Sequence, residues 1–92
     1  MVSSKQVQAD GSLIEIVIWH VPTPVPPCDH NFKYSLVYIR NRVRVVGFDN
    51  ERGKGDHMHV LGQEVPFRFE DIASLLSYFR LVVEKVRENS DV

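Results

Sequence analysis

Apolar side chains recur at every second position through much of the chain and at every third or fourth position near its end. The first rhythm belongs to strands and the second to a helix. Residues 12–21, "SLIEIVIWHV", are rich in β-branched side chains and predict a strand. Residues 22–31 follow with Pro22, Pro24, Pro26 and Pro27, which lack donors and fix φ, so they form a stiff connector. In 32–40, Phe32, Tyr34, Leu36 and Tyr38 alternate with Lys33, Ser35, Val37 and Ile39, a second strand partly covered on both faces. Asn41-Arg42 predicts a tight turn, because Asn tolerates positive φ. Residues 43–50 form the third strand. A regular two-residue turn would set Tyr38 opposite Val45, Leu36 opposite Gly47 and Tyr34 opposite Asp49. Gly47 itself leaves room for a bulge or for another group to approach.

Residues 64–69, "EVPFRF", alternate again as a short strand, and Pro66 places it at an edge or puts the proline near its start. From 70 to 88, Ile72, Leu75, Leu76, Phe79, Val82, Val83 and Val86 make one apolar stripe on a helix. Glu70 and Asp71 suit its first turn, and Lys85 and Arg87 its last. The end of the chain, 88–92, should fray, and 1–11 should be a flexible tail or a short leading strand. The expected architecture is an α+β domain spanning 1–92: a small antiparallel sheet of about four strands, packed by one C-terminal amphipathic helix. Trp19 should join the core, Tyr34 and Tyr38 should pack beneath the helix, and His20 should end its strand at the surface or core edge.

Composition adds two limits. A formal net charge of −1 announces no nucleic-acid binding by the chain as a whole. Between Lys33 and Lys54, however, six bases stand against Asp49 and Glu51, so the middle can present a basic face. Cys28 is the single cysteine, which excludes an internal disulfide and a multi-cysteine zinc site and fits a reducing cytoplasm. No signal-peptide core opens the chain, and the run "LIEIVIWHV" is too short to cross a bilayer, so a cytoplasmic protein without membrane contact is expected.

About fifteen residues between the third and fourth strands carry neither rhythm. Their core is "DNERGKGDHMHV", from Asp49 to Val60. If "DHMH" is extended, His57 and His59 point to one side and Asp56 to the other. A carboxylate such as Asp49 or Asp56 can fix an imidazole tautomer. Lys54 and Arg52 bring cations, and Gly53 and Gly55 let backbone approach an anion. A base, an acid, an orienting carboxylate and anion clamps are the parts needed to cleave RNA without a metal: one histidine takes the 2′-hydroxyl proton, the other protonates the leaving oxygen. Arg44 and Arg42 are further candidate phosphate contacts. Metal ligation is not favoured, because a third ligand would have to come from Asp49, His30 or His20, all distant in sequence. No other cofactor is implied. Cys28-Asp29-His30 joins thiol, carboxylate and imidazole, but neighbours in sequence do not readily face one another as nucleophile and base.

The segments "YSLVYIRNRVRVVGFDN", "KGDHMH" and "PFRFEDIASLLSYFR" together resemble the TumE-like toxin family of toxin–antitoxin operons. The pattern there is a hairpin ending in Asp-Asn, a Gly-Asp-His-x-His segment and one amphipathic helix. Asp49, Asn50, Asp56, His57 and His59 match it, while Met58 stands where a basic residue is expected. The resemblance implies a toxin neutralised by a cognate antitoxin, often a helix-turn-helix protein. Its action on RNA as an endoribonuclease is the leading expectation. A non-catalytic nucleic-acid- or protein-binding module and a metal-dependent nuclease with histidine ligands are the alternatives. A homodimer through the sheet is a further possible assembly.

Overall fold

The computed structural model describes residues 1–89. Six strands form one sheet in the order of the chain: β1 (Val2–Val7), β2 (Leu13–His20), β3 (Phe32–Arg40), β4 (Val43–Glu51), β5 (Gly55–Val60) and β6 (Gln63–Pro66). Every neighbouring pair is antiparallel. The helix α1 (Ile72–Asn89) lies across one face. The α+β class and the single C-terminal helix match the sequence expectation; six strands replace the expected four or so.

Both additional strands have a physical explanation. The leading segment 2–7 pairs with β2 along its whole length but is exposed throughout, so it shows no apolar alternation. β5 lies within the segment expected to be a loop. It does alternate, with Met58 and Val60 toward the core and His57 and His59 on the other side, but with only two apolar residues the rhythm is too short to read. The turns around it are chemically marked. Gly53 and Gly55 have φ of 89° and 77°, and Leu61 and Gly62 have 51° and 83°. Leu61 thus occupies the left-handed region, which is uncommon for a bulky side chain.

The β3–β4 turn has positive φ at both Asn41 and Arg42, as a two-residue hairpin turn demands. The register beyond it departs from expectation. Tyr38 pairs with Val46 but Ile39 with Arg44, so Val45 is an extra residue in β4. This one-residue slip moves every later residue of β4 to the opposite side. Leu36 consequently faces Phe48, and Asp49 faces Ser35.

Residues paired directly across antiparallel strands share a face. On the helix-covered face, Ile16, Leu36, Phe48, Met58 and Val65 form one such row. Tyr34, Leu36, Tyr38, Val46 and Phe48 are fully buried there against Leu75, Phe79, Val83 and Val86 of α1. The predicted helical stripe and the two packed tyrosines are therefore observed. Trp19 is not in the core: it is 40% exposed, because Ile18 takes the inward position beside it. His20 is exposed, with its ring set edge-on to Phe32. The helix begins two residues later than expected. Asp71 precedes it as its cap, accepting the Ser74 N–H at 2.7 Å, a bond that lowers the carboxyl's pKa. The expected fraying lies, for residues 90–92, outside the described residues.

Candidate functional site

The other face of the sheet carries no helix. Two of its rows follow from register. One runs Ser3, Val17, Ser35, Asp49, His57, Pro66, and the next runs Lys5, Glu15, Val37, Gly47, His59, Glu64. The bulge at Val45 puts Asp49 in this face, and β5 and β6 bring the histidines and Glu64 beside it. Three consecutive strands, joined by tight turns, thus deliver four chemically active side chains to one patch.

His57 is the centre of the patch and is 5% exposed. Its Nδ1 lies 3.1 Å from the Gly55 carbonyl oxygen. Its Nε2 lies 2.6 Å from Asp49 Oδ1 and 3.6 Å from Glu64 Oε1. Asp49 Oδ1 is shut off from water and accepts no hydrogen bond of regular geometry, despite the short approach of Nε2. The His57 and His59 rings stand 5.2 Å apart, edge to face. His59 is more open, its side chain 24% exposed, with Nε2 3.9 Å from the same Glu64 oxygen.

Lys54, in the β4–β5 turn, holds Glu64 Oε1 at 3.1 Å. This bond depresses the Glu64 carboxyl pKa and raises that of the Lys54 ammonium. An open cavity of about 320 Å³ lies here, lined by Lys54, Asp56, His57, Glu64 and Pro66. Arg44 reaches the patch from the other side. Its Cδ and Nε would be 3.1 and 3.3 Å from a Cβ at Gly47, the residue paired with His59, so the glycine gives the guanidinium its place. Arg52 is exposed in the β4–β5 turn. Arg42 lies in the β3–β4 turn, at the opposite end of β4 from Asp49. Strand rise puts it roughly 20 Å away, outside the cluster.

Asp56 also departs from the expected set. It lies on the helix side, as alternation required, and joins a second network. Asp56 Oδ1 accepts from the Tyr34 hydroxyl at 2.6 Å and from His30 Nε2 at 2.8 Å. His30 Nδ1 in turn accepts the Phe32 N–H at 3.3 Å, and the ring stacks on Phe69 at 3.9 Å. Burial first, and then the Asp56 bond, push the Tyr34 hydroxyl pKa well above its ordinary value. Asn50, wholly buried, accepts the Tyr34 N–H at 3.0 Å and donates to the Phe32 carbonyl at 2.6 Å. Lys33 Nζ donates to the Asn50 carbonyl. Cys28 lies beside this network, 3.8 Å from Asn50 Nδ2, and burial pushes its thiol pKa up. The proline connector is thereby fastened to the β4–β5 turn, through Gly53 N–H to the Pro26 carbonyl and Pro27 against Gly55.

Among the described residues, three sets have ligand atoms close enough for one cation: His57, His59 and Glu64; Asp49, Glu51 and His57; and Cys28, His30 and Asp56. Two of them contain His57. Glu64 is the residue that sequence reasoning missed. The signal was present in Leu61-Gly62: a two-residue turn there pairs Val60 with Gln63, and so His59 with Glu64.

No helix among the described residues is long and apolar enough to cross a membrane. No curated protein and no solved structure matches the chain. The family described as Toxin TumE matches residues 2–87, taking in the N-terminal strands and the proline connector as well as the hairpin, the histidine segment and the helix, and the chain belongs to that toxin family.

Proposed function

We propose that this toxin acts on RNA by cleaving its phosphodiester backbone at the open-face cluster. The observation that carries the reading is the convergence of His57, His59, Asp49 and Glu64 beside a solvent-open cavity, with Lys54 and Arg44 on its flanks. Phosphoryl chemistry needs groups that handle protons or activate water, together with cations that meet the growing charge. Lys54 and Arg44 supply the cations and Arg52 extends them along the turn. Imidazoles serve such a reaction in two forms, as proton carriers or as ligands of a cation that activates water.

Burial divides the two histidines. His59 is the more exposed of the two, at the edge of the patch and outside the cavity lining. His57 lines the cavity but is enclosed and its ring nitrogens face Gly55 and Asp49, so its role is to hold the site together while His59 handles the substrate proton. The acid–base pair expected from sequence thus becomes one accessible imidazole supported by one enclosed imidazole. Toxins of this family act with cognate antitoxins, and a helix-turn-helix partner is the expected form here.

The test is incubation of purified protein with RNA, beside growth assays. His59→Ala and Asp49→Asn should lose cleavage and toxicity while retaining the wild-type circular dichroism spectrum. A non-catalytic binding module gives the opposite pattern: histidine changes are harmless, and charge reversal at Arg42 and Arg44 abolishes toxicity. Full toxicity of His59→Ala sinks the proposal.

A further inference from the structure

We propose that His57, His59 and Glu64 form a binding site for one borderline divalent cation of the Zn²⁺ class. The site is the one proposed to act on RNA, but the inference concerns what it binds and is tested by binding.

The argument starts from where protons can be. The Gly55 carbonyl only accepts, so the proton of a neutral His57 ring is held at Nδ1. Nε2 then presents a lone pair. That lone pair meets Asp49 Oδ1 at 2.6 Å and Glu64 Oε1 at 3.6 Å, both electron-rich. Asp49 Oδ1 is moreover sealed from water with no hydrogen-bond donor of regular geometry. An acceptor buried without a donor is costly, so the cluster calls for a positive centre. Lys54 supplies one to Glu64 from an exposed, flexible side chain at the rim.

The ligand geometry fits a cation. Ligand atoms about 2.0–2.2 Å from a tetrahedral Zn²⁺ are roughly 3.3–3.6 Å apart. The His57–Glu64 and His59–Glu64 separations are 3.6 and 3.9 Å, and all three ligand atoms lie within 4.8 Å of one another. Small side-chain rotations close the difference. The bond from Nδ1–H to a backbone carbonyl is the support that orients a metal-binding imidazole. Nε2 ligates once the Asp49 carboxylate, 2.6 Å from it, turns aside or joins the ligands. Two imidazoles and one carboxylate favour Zn²⁺ over Mg²⁺, which prefers oxygen ligands and retains its water. The solvent-open cavity leaves a coordination position for water or a phosphate oxygen. Bound there, the cation supplies Lewis acidity and an acidified water.

The test is calorimetric titration of chelator-treated, full-length protein with ZnCl₂ and, separately, MgCl₂. One equivalent of Zn²⁺ should bind, with Mg²⁺ at least about a hundredfold weaker. Glu64→Gln and His59→Ala should each weaken Zn²⁺ binding about tenfold or more. Lys54→Ala should tighten it, because the competing ammonium is gone; this exposed position removes folding as an explanation. Histidine ring NMR should show Nε2 of His57 and His59 shifting together at one equivalent. The proposal is overturned by an absence of saturable Zn²⁺ binding up to about 1 mM. Equal affinity in Glu64→Gln, or a His57 ring that keeps protons on both nitrogens throughout the titration, overturns it as well. Zn²⁺ binding without RNA cleavage rejects the RNA reading alone, and cleavage without Zn²⁺ binding rejects the metal site alone.

Discussion

Replacing Asn50 with Ala should cost this domain a large share of its stability. Asn50 is wholly enclosed, and its carboxamide serves two backbone groups of β3 that have left the ladder: it accepts the Tyr34 N–H at 3.0 Å and donates to the Phe32 carbonyl at 2.6 Å. Alanine leaves both unpaired in a region water does not reach. Each such group costs about 1–3 kcal/mol, so the loss should be roughly 2–6 kcal/mol. A chain of this length has about 5–14 kcal/mol to lose. The midpoint of thermal unfolding should fall by roughly 8–50 °C, at about 4–8 °C for each kcal/mol. Urea unfolding followed by far-UV circular dichroism measures the free energy directly, and Glu51→Ala, at the exposed neighbouring position, is the control. A loss below about 1 kcal/mol for Asn50→Ala refutes the reasoning, because it means that water or a shifted backbone satisfies both groups.

Three further outcomes are expected. Asp56→Asn should keep toxicity, because a carboxamide oxygen still accepts from Tyr34 and His30 on the helix side, whereas Asp49→Asn should lose it; equal loss in both would mean the two networks act as one. Cys28 should react with iodoacetamide at pH 8 more slowly than free cysteine, since burial and the nearby Asp56 carboxylate raise its pKa and leave less thiolate, and a rate equal to free cysteine contradicts this. The Lys54–Glu64 bond lowers the folded pKa of Glu64, so its stabilising contribution is present above the unfolded carboxylate value and is lost as pH falls through the depressed folded one. An NMR titration of Glu64 in Lys54→Ala should show the midpoint moving up; an unmoved midpoint assigns the depression to another group.

The sequence by itself determined the elements whose burial is one-sided and continuous. The helical stripe from Ile72 to Val86 and the alternation of Phe32 to Tyr38 needed no partner to be read, because both periods are local. The Asn41-Arg42 turn and the common side of His57 and His59 were local too. Three decisions belonged to the tertiary structure. The extra residue at Val45 reversed the faces of the rest of β4, so Asp49 meets His57 rather than Tyr34, and no composition signal marks a bulge reliably. β5 was hidden because only Met58 and Val60 supply its core-facing apolar positions, while its imidazoles lie on the open face, enclosed by neighbouring strands and polar partners rather than by apolar packing. Glu64 and Asp56 exchanged importance for the same reason. Local spacing placed Asp56 beside the histidines along the chain, but pleating turned it away and the Leu61-Gly62 hairpin brought Glu64 in. Which acid shares a face with which histidine is a matter of register, and register is set by pairing between strands, not by any one of them.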